Sequence, residues 1–255
     1  MKKSHLILFF IVFVMAAIYV FVFEEDPVPT PPEETRVENV GEVTQKKQTI
    51  KETTAGKYEI DVEYPVFEGS APTVEKINQT IKGEVEKIIA DEKVEFETIL
   101  KEPYAEGRGD LGLNLTIRYE AEVNKKLSVA NVMFEDYVYT GGAHGITALE
   151  SFVFDLKTGK RLTLSEVFDQ KTNYLKALSD ESLAELKETD PKLQTYTEAL
   201  AGTAPSLENF GAFMLSESGF KVRFSDYQVG PHVVGTPIVT IDYAKLSPYL
   251  LPAFK

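Results

Sequence analysis

Lys57-Tyr-Glu-Ile-Asp-Val-Glu-Tyr-Pro-Val66, with the thirty residues that follow it, decides the fold. Tyr58, Ile60, Val62, Tyr64 and Val66 alternate with Lys57, Glu59, Asp61, Glu63 and Pro65. Side chains of a strand point to opposite faces in turn, so this period of two predicts a strand with one buried face. Ser70-Ala-Pro72 then signals a helix start, with proline in the first turn. Val74, Ile77, Ile81, Val85 and Ile88 recur at intervals of 3, 4, 4 and 3, one stripe of an amphipathic helix. Glu75, Gln79, Lys82, Glu86 and Lys87 fill its solvated face.

Working outward, Leu113, Leu115, Ile117, Tyr119, Ala121 and Val123 alternate with polar residues and predict a second strand. Asn124-Lys-Lys126 makes a turn into a third strand from about Leu127 to Tyr139, and a fourth spans Ile146 to Asp155. Thr140-Gly-Gly-Ala-His-Gly145 joins those two, and its glycines imply positive φ or a close backbone approach. Beyond the turn at Asp155–Lys160, Ser165 precedes a helical stretch holding Tyr174, Leu175 and Leu178. Asp190-Pro191 opens a short helix with Leu193, Tyr196 and Leu200, ending at Gly202. Short strands at Phe213–Leu215, Phe220–Phe224 and Ile238–Ile241 and a final helix at Leu246 and Leu250 complete the chain. Helices and strands are segregated, so the class is α+β: mainly antiparallel sheet with packed helices, in two parts at 56–139 and 140–255.

The first 55 residues read differently. Leu6 to Phe23 is an unbroken apolar run of 18, fourteen of them Leu, Ile, Val or Phe. A helix of that length spans roughly 27 Å, close to a hydrocarbon core of about 30 Å. Insertion is favoured by roughly 6 kcal/mol. Lys2 and Lys3 precede the run and Glu24, Glu25 and Asp26 follow it, so residues 1–5 are expected in the cytoplasm and the rest outside. The expectation is an uncleaved transmembrane anchor at 6–23, because Tyr19-Val-Phe-Val-Phe23 stands where a cleavage site needs small residues. Residues 24–55 read as a disordered spacer, rich in Pro and Glu and without an aromatic residue.

The 27 basic and 40 acidic residues give a formal net charge of −13. Without a basic stripe, nucleic acid is not expected as a partner. There is no Cys, which removes disulfides, thiolate metal sites and a Cys nucleophile. No G-x-S-x-G, H-E-x-x-H or P-loop is present, so no catalytic residue, resident metal or cofactor is expected.

What remains is a loop constellation. His144 and His232 both sit between glycines, the second in Val229-Gly-Pro-His-Val-Val-Gly235. If the fold joins these loops, the two imidazoles can meet at one ligand site. Zinc would need a third ligand such as Asp136, Asp155 or Asp226. Tyr137, Tyr139, Tyr227 and Tyr243 lie near the same loops, either as core rings with the hydroxyl at the rim or as a shelf for sugar rings. The candidate ligand-binding residues are Tyr139, Gly141, Gly142, His144, Tyr227 and His232.

Tyr139-Thr-Gly-Gly-Ala-His-Gly145, Phe154-Asp-Leu-Lys-Thr-Gly-Lys160, Leu162-Thr-Leu-Ser165 with Phe168, Gly219-Phe220, Phe224, Tyr227-Gln-Val-Gly-Pro231 and Gly235 follow in order. Together they resemble a bacterial domain family of unknown function, over roughly residues 56 to 250. It forms the extracytoplasmic half of the anti-sigma factor RsiV and precedes the catalytic domain of the peptidoglycan deacetylase PdaC. The resemblance implies a two-part α+β module that acts in the first relative as a receptor for lysozyme and in the second is not itself the catalyst. His232 and Asp242 depart from the family pattern, which more often has an aromatic residue and a proline there. With five residues before Leu6 and one after Phe254, neither a sigma-binding domain nor a deacetylase domain is expected. The resulting expectation is a membrane-anchored, extracytoplasmic binding or sensor module whose partners are the lipid bilayer and either peptidoglycan or a cationic wall-active protein such as lysozyme. An envelope enzyme using His144 or His232, and a scaffold of envelope proteins, are the alternatives.

Overall fold

The computed structural model describes residues 40–103, 105 and 110–255. The expected tail at 1–5, the anchor at 6–23 and the spacer up to residue 39 lie outside the described residues. Among the described residues no helix is long and apolar enough to cross a membrane.

The chain is α+β. A six-stranded sheet contains β1 (Thr44–Thr54), β2 (Tyr58–Glu68), β3 (Leu113–Asn124), β4 (Val129–Tyr139), β5 (Ile146–Asp155) and β6 (Arg161–Leu162), in that spatial order. Helix α1 (Pro72–Ile99) connects β2 to β3, which pair in parallel; the other neighbours in this sheet are antiparallel. A second, antiparallel sheet holds β7 (Phe213–Ser216), β8 (Gly219–Arg223) and β9 (Ile238–Ile241). Four further helices precede or follow it: α2 (Leu164–Val167), α3 (Tyr174–Thr189), α4 (Thr197–Gly202) and α5 (Tyr243–Leu246).

The alternation read from the sequence sorts the large sheet into two faces. Ile60 and Val62 of β2, Leu115 and Ile117 of β3, Val132 and Phe134 of β4, and Phe152 and Phe154 of β5 are buried with Ile77, Ile81 and Val85 of α1. The opposite face meets the small sheet. Asn131 donates from Nδ2 to the Leu215 carbonyl at 3.1 Å and accepts the Leu215 N–H at 2.8 Å. Ser151 Oγ donates to the Gly211 carbonyl and accepts from the Phe213 N–H. Lys221 pairs with Glu120, and Arg223 with Glu135. A second core, with Phe168, Phe210, Phe220, Phe224 and Leu246, gathers β7–β9 and the later helices.

Two boundaries differ from the sequence reading. The spacer expected to reach residue 55 gives way at Thr44 to β1, paired with β2 over eleven positions. An edge strand needs little side-chain burial, because its neighbour satisfies one row of backbone groups. Here only Ile50 packs on the core, while Lys46, Lys47 and Lys51 pair with Glu68, Glu63 and Asp61 across the hairpin. Lysines on an edge also discourage further strand pairing. Across the expected division at 139/140, β4 and β5 pair from Val129–Asp155 to Val138–Ile146, within one sheet. The helix opened by Asp190-Pro191 is two pieces, a 3-10 turn at Pro191–Thr195 and then α4, so Leu193 is buried while Leu200 is exposed.

Candidate functional site

Two loops meet at the end of β4 and β5. The first is the Thr140–Gly145 connection. Its base is tied by Tyr139 Oη, which donates to the Gly142 carbonyl at 2.8 Å. Gly141 has φ +84, the left-handed region that glycine enters without penalty. The Gly145 N–H donates to Tyr137 Oη at 3.2 Å, and a Cβ at Gly145 would stand 2.3 Å from the Tyr137 ring.

The second loop runs from 225 to 235 and is pinned from within the protein. Gln228 Nε2 donates to the carbonyls of Gly202 and Asn209, both at 3.0 Å, while Val229 is buried. Tyr227 has φ +63 despite its side chain, a backbone strain of about 1–3 kcal/mol held by these anchors. A 3-10 turn at His232–Val234 then presents His232 and Val233 outward.

The loops bring His144, Tyr227 and His232 together. The two imidazoles stack with centroids 4.5 Å apart and planes within 16°. Tyr227 stacks on His232 at 5.5 Å. His144 Nδ1 lies 2.9 Å from the Gly145 carbonyl, which only accepts, so Nδ1 carries the proton and Nε2 accepts from Tyr227 Oη at 3.3 Å. On His232, Nδ1 donates to Asp226 Oδ2 at 2.6 Å. The Asp226 side chain is 4% exposed, and its Oδ1 is buried without a partner among the described residues. This carboxylate fixes the His232 ring through Nδ1, and the ring stays half-exposed.

The six candidate residues thus divide. His144, Tyr227 and His232 form the aromatic cluster, whereas Tyr139, Gly141 and Gly142 shape the loop that carries His144. Of the three acids weighed as zinc ligands, only Asp226 belongs here. Stacked rings hold their in-plane lone pairs in parallel planes, so both cannot reach one ion without turning. Asp136 lies on the opposite face of β4, and Asp155 caps a turn through the Lys157 N–H. Tyr243 donates to the Ser216 carbonyl at the small sheet, where burial and then the Glu122 charge push its phenol up. Exposed Tyr137, Ile146, Tyr227 and Val233 give the surface around the imidazoles an apolar character. Cavities of about 310 and 200 Å³ lie elsewhere, one beside Val40, Val43 and Leu156, one beside Leu127 and Phe254.

Residues 51–147 match the family model described as Deacetylase PdaC, and residues 165–244 match Protein of unknown function (DUF3298). The chain is 30% identical over 189 residues to the peptidoglycan-N-acetylmuramic acid deacetylase PdaC of Bacillus subtilis, covering 74% of this chain. It spans 38% of the length of that curated relative. The fold is similar to crystal structures of DUF3298 family proteins. One, from Bacteroides fragilis, has TM-score 0.63 at 21% identity, covering 85% of this chain and 96% of that one. Another, from Pseudomonas aeruginosa, has TM-score 0.58 at 12% identity, covering 84% and 97%. The chain thus carries, in the order of the sequence, a PdaC-like stretch and a DUF3298-like stretch.

Proposed function

We propose that this chain is a binding or sensor module of the bacterial envelope, held to the membrane by residues 6–23, with the folded part outside the cell. The observation that carries this reading is the exposed stack of His144, His232 and Tyr227, backed by the buried Asp226 and ringed by apolar side chains. An open face of π surfaces suits a large ligand that lies across it, either the sugar rings of the wall or a protein. About −15 of charge on the outer side, Lys2 and Lys3 being inside, would steer a cationic protein such as lysozyme at low salt. The PdaC-like stretch supports an envelope association. The test is capture of the full-length chain on peptidoglycan sacculi and, separately, on immobilised lysozyme at low ionic strength. Retention on either supports the reading; failure on both overturns it.

One observation favours a second reading, an envelope enzyme. A 2.6 Å Asp–His contact on a half-exposed ring is the geometry of a general base. Release of acetyl groups or of glycan fragments from sacculi by the purified chain, lost in His232→Ala, would favour it over binding alone.

A further inference from the structure

Three carboxylates gather at one end of the large sheet: Asp136 is buried, Glu92 is half-buried and Glu150 is exposed. On β4 the inward series Ala130, Val132, Phe134 continues to Asp136, which is 6% exposed. On β5 the inward residues Phe154 and Phe152 are followed, toward the start of the strand, by Glu150. On α1 the buried stripe of Ile81, Val85, Ile89 and Phe96 places Glu92 three residues after Ile89 and four before Phe96, on the same side. The register sets Asp136 opposite Ala148 and Phe134 opposite Glu150, so the two acids are diagonal neighbours on one face. Asp136 Oδ1 is buried with no hydrogen-bond partner among the described residues.

The charges that act on Asp136 and Glu92 are all acidic; the cations act on Glu150. From α1, Asp91 and Glu95 act on Glu92, while Glu84 and Lys87 act on Glu150. Arg161 of β6 also acts on Glu150, and β3 sets the uncharged Ile117 beside Asp136. On β4 itself, Glu135 points to the other face, where it meets Arg223. A lone buried carboxylate among like charges is costly when ionised, so it keeps its proton. Burial, then Glu150, then Glu92 push the Asp136 carboxyl up to about 7. Burial raises Glu92, with Glu95 and Asp91 adding to it; burial also raises Glu150, where Arg161 and Lys87 oppose it and Glu84 adds to it.

We propose that Asp136 is a proton-operated latch. With its proton, the second half of α1 keeps its packing on the sheet, Phe96 against Tyr58 of β2; without it, repulsion from Glu92 loosens residues 89–99. The next residue, Tyr137, faces the other side and accepts the Gly145 N–H, so the latch sits one residue from the support of the His144 loop. The direction follows from the proton being held more tightly in the folded chain. Below the ordinary 3.8 both states are protonated and the latch has no effect; stability then falls as pH rises to about 7 and levels off above it.

The test is hydrogen exchange of the full-length chain, corrected for intrinsic rates, with urea unfolding alongside, for wild type, Asp136→Asn and Glu92→Gln. Between pH 5 and 8.5, wild-type protection in 89–99 is expected to fall about tenfold or more, and that of Asp136→Asn to stay within about twofold. Glu92→Gln is expected to move the wild-type transition to lower pH and to shrink it, and reads the same latch if Asp136→Asn does not fold. Parallel pH profiles for wild type and Asp136→Asn, or an unmoved transition in Glu92→Gln, would overturn the proposal. So would millimolar calcium restoring wild-type protection at pH 8.5, which would make the acids a cation site instead.

Discussion

His232 Nδ1 lies 2.6 Å from Oδ2 of Asp226, a carboxylate all but withdrawn from water, whose second oxygen has no partner among the described residues. A side chain placed this way is costly for stability and useful for orientation. Asp226→Asn is therefore expected to leave the melting temperature unchanged or higher. The same variant should weaken ligand capture by about tenfold, roughly 1.4 kcal/mol. Thermal melting and a capture isotherm on the same preparations check both halves. A variant that melts several degrees lower would show Asp226 to be structural.

Gly145 and Gly202 separate a soft clash from a hard one. An added Cβ at Gly145 meets the ring of Tyr137, the movable end of a half-exposed side chain. Gly145→Ala should cost about 0.5–1.5 kcal/mol, the worth of the hydrogen bond it breaks. At Gly202 the added Cβ would lie 1.9 Å from the Gln228 carbonyl oxygen, so backbone has to move. Gly202→Ala should cost about 1–3 kcal/mol or more and free the loop that carries Tyr227. Urea unfolding ranks the two; equal costs would contradict the distinction.

Asn131 ties the two sheets from a fully buried position, donating to the carbonyls of Leu215 and Glu122 and accepting the Leu215 N–H. Asn131→Leu keeps the volume but removes these bonds and strands the buried Leu215 N–H, while the Leu215 carbonyl keeps its bond from Asn124 Nδ2. The expected loss is about 2–4 kcal/mol, read from the urea midpoint. A loss under about 0.5 kcal/mol would mean that the remaining contacts hold the sheets together without Asn131.

Glu166 closes a capping box with Thr163 and pairs with Lys160 at 2.6 Å. Burial pushes its carboxyl up, but the hydrogen bonds from Lys160 and Thr163 outweigh that and hold it below the usual 4.5. Its contribution is therefore present above pH 4.5 and lost as pH falls through the lower folded value. Glu166→Ala should cost about 0.5–2 kcal/mol at pH 7. The gap between the two unfolding curves should narrow as the buffer is taken below pH 4.5.

Much of this architecture is legible in the sequence because one-sided burial leaves a period. Tyr58–Val66, Leu113–Val123 and the α1 stripe carry it, and the structure has β2, β3 and α1 there. β1 is not legible, since a strand exposed on both faces and paired on one edge has no apolar alternation to show. The α1 stripe, read from the sequence as far as Ile88, runs on through Glu92 to Phe96 and Ile99. A glutamate in that place looks like the end of the buried face when it is part of it. At the site, the glycines flanking His144 and His232 mark the two loops. Their stacking depends on Gln228 reaching Gly202 and Asn209, a long-range contact that no local pattern encodes. In the sequence Asp226 reads only as a possible metal ligand; its contact with His232 depends on where the loop folds.

The most direct measurement is the affinity of the full-length chain for sacculi and for lysozyme at low ionic strength, compared with that of the His144→Ala/His232→Ala double variant. The account predicts that wild type binds one of the two and that the variant, with an unchanged melting temperature, binds it at least about tenfold more weakly. Equal binding by both proteins, or none by either, would contradict it.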